Sequence, residues 1–172
     1  SGIYNSKKIN SLVLLNYCEE LNYFLLWCQQ LIAESLGKKG KGKIPIISIA
    51  PRDHHSLLQF YLDGPKDNFF YIFSLKEKTK PKRKKELFKE ALNGKNLNEI
   101  IENQKDAMIS ILKSKKIPYL SIEIKERSEE TLGELFSYFI LETAITGYLI
   151  NINPFNQPSV EQVKIDTKKF LS

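Results

Sequence analysis

The sequence predicts an α/β fold: a three-layer α/β/α sandwich around a mainly parallel sheet. Three observations point there. Short apolar runs alternate with longer amphipathic segments, the strand–helix–strand rhythm of a parallel sheet. The apolar runs are continuous rather than alternating, as strands covered on both faces are. And 172 residues suit one domain with a sizeable core.

The elements follow in order. Residues 11–17 form a buried strand. Residues 19–33 form a helix, with Leu21, Phe24, Leu25, Cys28, Leu31 and Ile32 at helical spacing. A Gly/Lys loop leads into a second strand, 44–50. A short helix at 55–62 stops at Asp63-Gly64-Pro65. Residues 69–75 are the third strand. Two helices, 84–92 and 97–115, are separated by Asn93-Gly94, and a fourth strand covers 117–124. Ser128 caps the next helix, whose first turn carries Glu129 and Glu130 at the positive end of the helix dipole and which runs to about Tyr148. A last helix, 158–171, starts on Pro158, whose missing N–H costs nothing in a first turn. Residues 1–10 read as a tail or linker from a preceding domain, and 11–172 as the domain itself. In such sheets ligands bind outside the carboxyl ends of the strands, so the loops after Tyr17, Ala50, Leu75 and Ile124 are expected to line the site.

Composition narrows the class. With 42% hydrophobic and 27% charged residues the chain reads as soluble and globular. No apolar run reaches the ~18 residues of a membrane span, and no secretory signal is visible. The chain opens on Ser1-Gly2 rather than Met, which points to an expression scar or a fragment. Cys18 and Cys28 are the only cysteines; on one helix they would stand ~15 Å apart along its axis. They are expected to be reduced thiols of a cytoplasmic protein, and no zinc-ligand spacing appears.

The net charge of +6 is concentrated. Residues 76–85 hold seven cations and one acid, so the remainder of the chain is neutral. A solvated surface loop accounts for that run. Phosphate-backbone binding would want interleaved aromatics or a recognisable motif, and neither is present, so no nucleic-acid partner is expected.

Three constellations could carry chemistry. Glu34 ends the first long helix just before Gly37, a half-buried position that suits a general base; a glutamate at a frayed helix end reads equally as ordinary surface. Asp53-His54-His55-Ser56 follows a buried strand and holds the only histidines. They could move protons near neutral pH, or simply flank a capping aspartate. Asn153-Pro154-Phe155-Asn156-Gln157 is a polar turn that runs into the last helix, where Glu161 and Lys164 fall on one face. That lysine is either solvated or set to meet an anionic ligand.

Taken together, the three resemble the C-terminal half of the glucose-6-phosphate isomerase family, in order. Gln30-x-x-x-Glu34-Ser35-x-Gly37-Lys38 resembles the segment with the catalytic glutamate. Asp53-x-His55-Ser56-x-x-Gln59, then Leu62-Asp63-Gly64-Pro65, resembles the segment with the catalytic histidine. Leu132-Gly133-Glu134-Leu135, Glu142-Thr143 and Phe155-Asn156-Gln157…Val160-Glu161…Lys164 resemble the last long helix and the closing signature. The similarity runs from about Ser11 to Leu171.

The resemblance implies a sugar-isomerase (SIS) domain and the interconversion of glucose 6-phosphate and fructose 6-phosphate. It implies that Glu34 moves a proton between C2 and C1 of the open-chain sugar, that His55 and Lys164 act in ring opening, and that Gln30 and Gln157 contact substrate. It implies no metal or organic cofactor. It also implies a homodimer, because in this family the histidine comes from the other subunit.

Departures limit the expectation. Ser159 stands where the closing signature has Gly, and His54 where Gln is frequent. The Ser/Thr phosphate loop and the Gly-Gly-Arg segment of the family's first sugar-isomerase domain have no counterpart; Arg52, Arg83 and Arg127 are the only arginines. The chain therefore reads as the C-terminal domain alone, lacking its N-terminal partner domain and nearly inactive by itself. A non-catalytic sugar-phosphate-binding module is the alternative.

Overall fold

The computed structural model describes residues 2–76 and 97–171. Its centre is a four-stranded sheet of β1 (Ser11–Asn16), β2 (Ile44–Ile49), β3 (Asn68–Leu75) and β4 (Tyr119–Ile124). The order is β2-β1-β3-β4 and every neighbouring pair is parallel. Around it stand α1 (Gly2–Asn5), α2 (Asn22–Leu36), α3 (Leu58–Asp63), α4 (Leu97–Ser114), α5 (Glu129–Leu149) and α6 (Pro158–Leu171). The expected 84–92 helix and most of the basic 76–85 run lie outside the described residues.

The strands are apolar throughout because both faces are covered. On one face Leu12, Leu14, Tyr71 and Phe73 pack with Phe24, Leu25 and Cys28 of α2 and Phe139 of α5. On the other, Val13, Leu15, Phe70 and Ile72 meet Tyr61 of α3 and Met108 and Leu112 of α4. This is the three-layer α/β/α sandwich that the alternation predicts. Where the central pair begins, buried Ser11 donates a hydrogen bond to the side-chain carbonyl of Asn68. The opening residues add to the first layer, since Ile3 and Tyr4 of α1 pack against it half-buried.

Helix starts follow local chemistry. Ser128 caps α5 by accepting from the Thr131 N–H at 3.1 Å. A 3-10 turn, Glu19–Leu21, delays α2 by three residues relative to the sequence expectation. Buried Asn16 fixes that turn: its amide donates to the Cys18 carbonyl and to the Asn22 side chain, and accepts from the Cys18 N–H. Both cysteines are buried free thiols.

Candidate functional site

Parallel order dictates where each candidate residue stands. A helix that joins two parallel strands must run back antiparallel to them, so its C-terminus lies at the sheet's amino edge. Glu34, near the end of α2, is therefore at that edge. So is the turn after α5, which ends where α5 returns. This differs from the expectation that the carboxyl-end loops line the site: helix polarity carries the carboxylate to the far edge.

Two contacts hold Glu34, and a third, within α6, holds Lys164. Gln30 Nε2 donates to Glu34 Oε1 at 3.2 Å, one helical turn away. Gln157 Nε2 donates to Glu34 Oε2 at 2.6 Å. Lys164 Nζ, one turn and a half into α6, pairs with Glu161 Oε1 at 2.8 Å. The Lys164 pKa is raised, first by the hydrogen bond and charge of Glu161, with the Glu34 charge adding in the same sense. Gln30, Gln157 and Lys164 are exposed and Glu34 is half-buried, so the cluster is an open face.

Lys38 and Asn156 hold the turn that delivers Gln157, and sequence reasoning gave neither a role. Lys38 Nζ donates to the Asn153 carbonyl at 2.7 Å and to Asn156 Oδ1 at 3.3 Å, and partial burial lowers its pKa. Lys41 Nζ donates to the Ile150 carbonyl at 2.7 Å. The reversal that presents both lysines needs Gly42, whose φ of 97° and approach to the Leu36 carbonyl leave no room for a Cβ. Beneath the same turn, Pro154 packs on Gly147 of α5, where a Cβ would meet the proline ring at 3.1 Å. The signal for Lys38 was its place beside Glu34 in the Gly37-Lys38 pair, but its partners lie more than a hundred positions away.

His55 is not in this cluster. It follows β2 at the sheet's carboxyl edge, separated from Glu34 by the roughly 20 Å length of a six-residue strand. Its loop is tightly held. Buried Asp53 accepts from the Ile49 N–H at 2.7 Å, from Ser48 Oγ at 3.2 Å and from Arg52 Nε at 2.8 Å. The Arg52 hydrogen bond keeps the Asp53 pKa below the ordinary carboxylate range. His54 Nε2 lies 2.7 Å from the Tyr17 hydroxyl, and burial, then the neighbouring His55 charge, lowers its pKa. His55 itself is exposed.

Among the described residues no three His, Cys, Asp or Glu side chains converge as a metal site. No helix among them is long and apolar enough to cross a membrane.

Fold and cluster define a class: a doubly wound parallel α/β domain with an acid–amide–lysine face at the closing edge of its sheet. No protein-family model matches the chain. A probable glucose-6-phosphate isomerase of Methanococcus maripaludis is 36% identical over 162 residues, covering 94% of this chain and 37% of its own length. Among solved structures, a hypothetical protein of Thermus thermophilus superposes with a TM-score of 0.85 at 26% identity, over 95% of this chain and 42% of that one. A glucose-6-phosphate isomerase of Chlamydia trachomatis shares the fold at a TM-score of 0.77 and 18% identity, over 95% of this chain and 35% of that one. Over 94–96% of its length the chain is similar to glucose-6-phosphate isomerases at 35–37% identity. It spans about two fifths of the length of the curated relatives it matches.

Proposed function

We propose that the chain is the C-terminal sugar-isomerase domain of a cytoplasmic glucose-6-phosphate isomerase. Residues 1–10 lead in from the preceding domain and 11–172 form the C-terminal unit. The domain supplies one wall of a site that interconverts glucose 6-phosphate and fructose 6-phosphate. The observation that carries this reading is the 2.6 Å bond from Gln157 to Glu34, with Lys164 on the same face.

Aldose–ketose exchange needs one acceptor that takes a proton from C2 and returns it to C1, and a positive environment for the enediolate formed between those steps. Glu34 is the proton carrier: the two amides of Gln30 and Gln157 hold its oxygens in place, and they are free to turn to sugar hydroxyls. Lys164 assists ring opening, protonating or deprotonating the ring and C1 oxygens together with His55. Because His55 stands at the other edge of the sheet, it serves the site of a second copy, and the working unit is a homodimer. The preceding domain supplies the phosphate loop and the arginine that this chain lacks.

A coupled assay tests the reading. The chain alone should turn over very slowly, and joining it to the missing domain of a relative should restore isomerisation. In the joined protein Glu34→Gln should lower kcat about 10²–10⁴-fold. Near-normal turnover by these residues alone, or an active Glu34→Gln protein, would sink it. The alternative, a non-catalytic sugar-phosphate-binding module, requires tight fructose 6-phosphate binding by the chain alone.

A further inference from the structure

We propose that His54 is a positioning residue for the ring-opening histidine: clamped on Tyr17, it aims His55 and leaves the pair's one proton to that ring. The role rests on the isomerase reading above and says how one of its groups is held.

The turn itself supplies the first argument. The 3-10 turn Arg52–His54 leaves the end of β2 and is closed by the His54 N–H on the Pro51 carbonyl and the His55 N–H on the Arg52 carbonyl, both at 3.1 Å. One pin, Asp53, ties the turn to β2 through the Ile49 N–H and Ser48 Oγ. A turn held at one strand can still pivot about it. His54 adds a second pin on the neighbouring strand. Its Nε2 lies 2.7 Å from the Tyr17 hydroxyl, just past the end of β1, and the two rings meet edge to face with centroids 5.6 Å apart. Tyr17 is a firm anchor, 7% exposed and bound through its own N–H to the Phe73 carbonyl at 2.8 Å. With the turn fixed to two strands, exposed His55 leaves the sheet in one direction.

The same bond gives the only two histidines different tasks. Burial raises the Tyr17 pKa, so the phenol keeps its proton and donates it. An imidazole nitrogen that accepts a hydrogen bond carries no hydrogen of its own, so His54 is neutral, with its proton on Nδ1. Burial and then the His55 charge lower the His54 pKa, against an opposing effect of Asp53. The remaining charge on the turn, Arg52, is turned to Asp53 at 2.8 Å. Adjacent imidazoles titrate as a coupled pair. With His54 neutral, the proton that the pair carries belongs to His55, and a protonated imidazole is the form that can donate to a sugar ring oxygen.

Two measurements test this. In the chain as it stands, imidazole nitrogen NMR at neutral pH should show His54 with Nε2 unprotonated, and Tyr17→Phe should let both tautomers appear. In the joined protein, kcat for glucose 6-phosphate is followed against pH. Tyr17→Phe frees His54 to compete for the proton. The alkaline limb should then move to lower pH, and kcat at mildly alkaline pH should fall about fivefold at unchanged KM. His54→Gln keeps an acceptor for Tyr17 and takes no proton, so its limb and kcat should stay with the parent. A protonated Nε2 on His54 overturns the role with no activity measured. So does a Tyr17→Phe loss that is uniform across pH, or a His54→Gln protein that loses as much as Tyr17→Phe, and both leave the isomerase reading intact. A joined protein that turns over normally after His55→Ala sinks the use of His55 in that reading, and this role with it.

Discussion

Gln157 donates to Glu34 across 123 positions of sequence, and with the Lys38 bonds to Asn153 and Asn156 this ties the turn before α6 to the end of α2. α6 buries none of its side chains, and its Val163, Phe170 and Leu171 are all exposed. A helix with so little burial opens easily, at the low end of the range of local stabilities. Gln157→Ala should therefore leave the global unfolding midpoint within about 0.5 kcal/mol of the parent while accelerating amide exchange across α6. Hydrogen exchange with mass spectrometry reads this directly. Unchanged α6 protection would mean that other contacts hold the helix.

Asp53 organises the loop that carries His55, and its bonds to Ile49, Ser48 and Arg52 predict a pH signature. Its pKa is lowered, first by the Arg52 hydrogen bond, against an opposing effect of burial. A depressed carboxyl stabilises the fold above its unfolded pKa of about 4 and loses that contribution as pH falls through the lower folded value. Asp53→Asn should cost about 1–3 kcal/mol at neutral pH and flatten the acid limb of the stability curve. Urea midpoints across an acid pH series measure both. An acid limb that keeps its slope would assign the effect to other carboxylates.

Glu142 behaves in the opposite sense. Burial raises its pKa, and the Tyr71 hydroxyl, donating at 2.6 Å, partly offsets this. A raised carboxyl favours the folded state below its unfolded pKa, and that advantage is lost as pH rises through the folded value. Tyr71→Phe removes the compensating donor, so it should cost about 1 kcal/mol near neutrality and less in acid. Glu142→Gln should remove this contribution to the pH dependence of stability over the same window. Paired denaturation curves in mildly acid and mildly alkaline buffer decide it; a Tyr71→Phe deficit that grows in acid would contradict the assignment.

His54 offers a spectroscopic reporter. Burial lowers its pKa first, and the His55 charge adds to this. A histidine with a depressed pKa contributes stability that is present above its unfolded pKa and is lost as pH falls through the folded one. Burial also raises the Tyr17 pKa, so its phenol stays protonated and can donate to the neutral His54 ring. Removing that donor with Tyr17→Phe, or the neighbouring charge with His55→Ala, should move the His54 titration upward in imidazole NMR. A downward shift in either variant would show that another group sets its pKa.

Most of the fold was legible because periodicity is a local property. Continuous apolar runs at β1 and β3 could only be strands covered on both faces, and Ser128 with Glu129 and Glu130 marks a helix start wherever it occurs. The three motif segments were equally legible as residue types. What a local pattern does not carry is which end of the sheet a helix end reaches. That depends on the pairing of β1 with β2, and it moved Glu34 away from the carboxyl edge. The roles of Lys38 and Asn156 were hidden for the same reason: a lysine in a Gly/Lys loop looks solvated until the turn at 153–157 folds back on it. α1 escaped notice because four residues are too few to show a helical period.

The separation of Glu34 and His55 by the height of the sheet has a kinetic meaning. On the proposed reading, a chain whose proton carrier and histidine face opposite ways carries halves of two different catalytic sets. In the proposed dimer of the joined protein, completing either set is a second-order event in protein, so specific activity should fall on dilution even though each subunit remains folded. Two disabled forms of the joined protein, one lacking the carboxylate and one lacking the imidazole, should regain activity when mixed, because a hybrid pair contains one intact set.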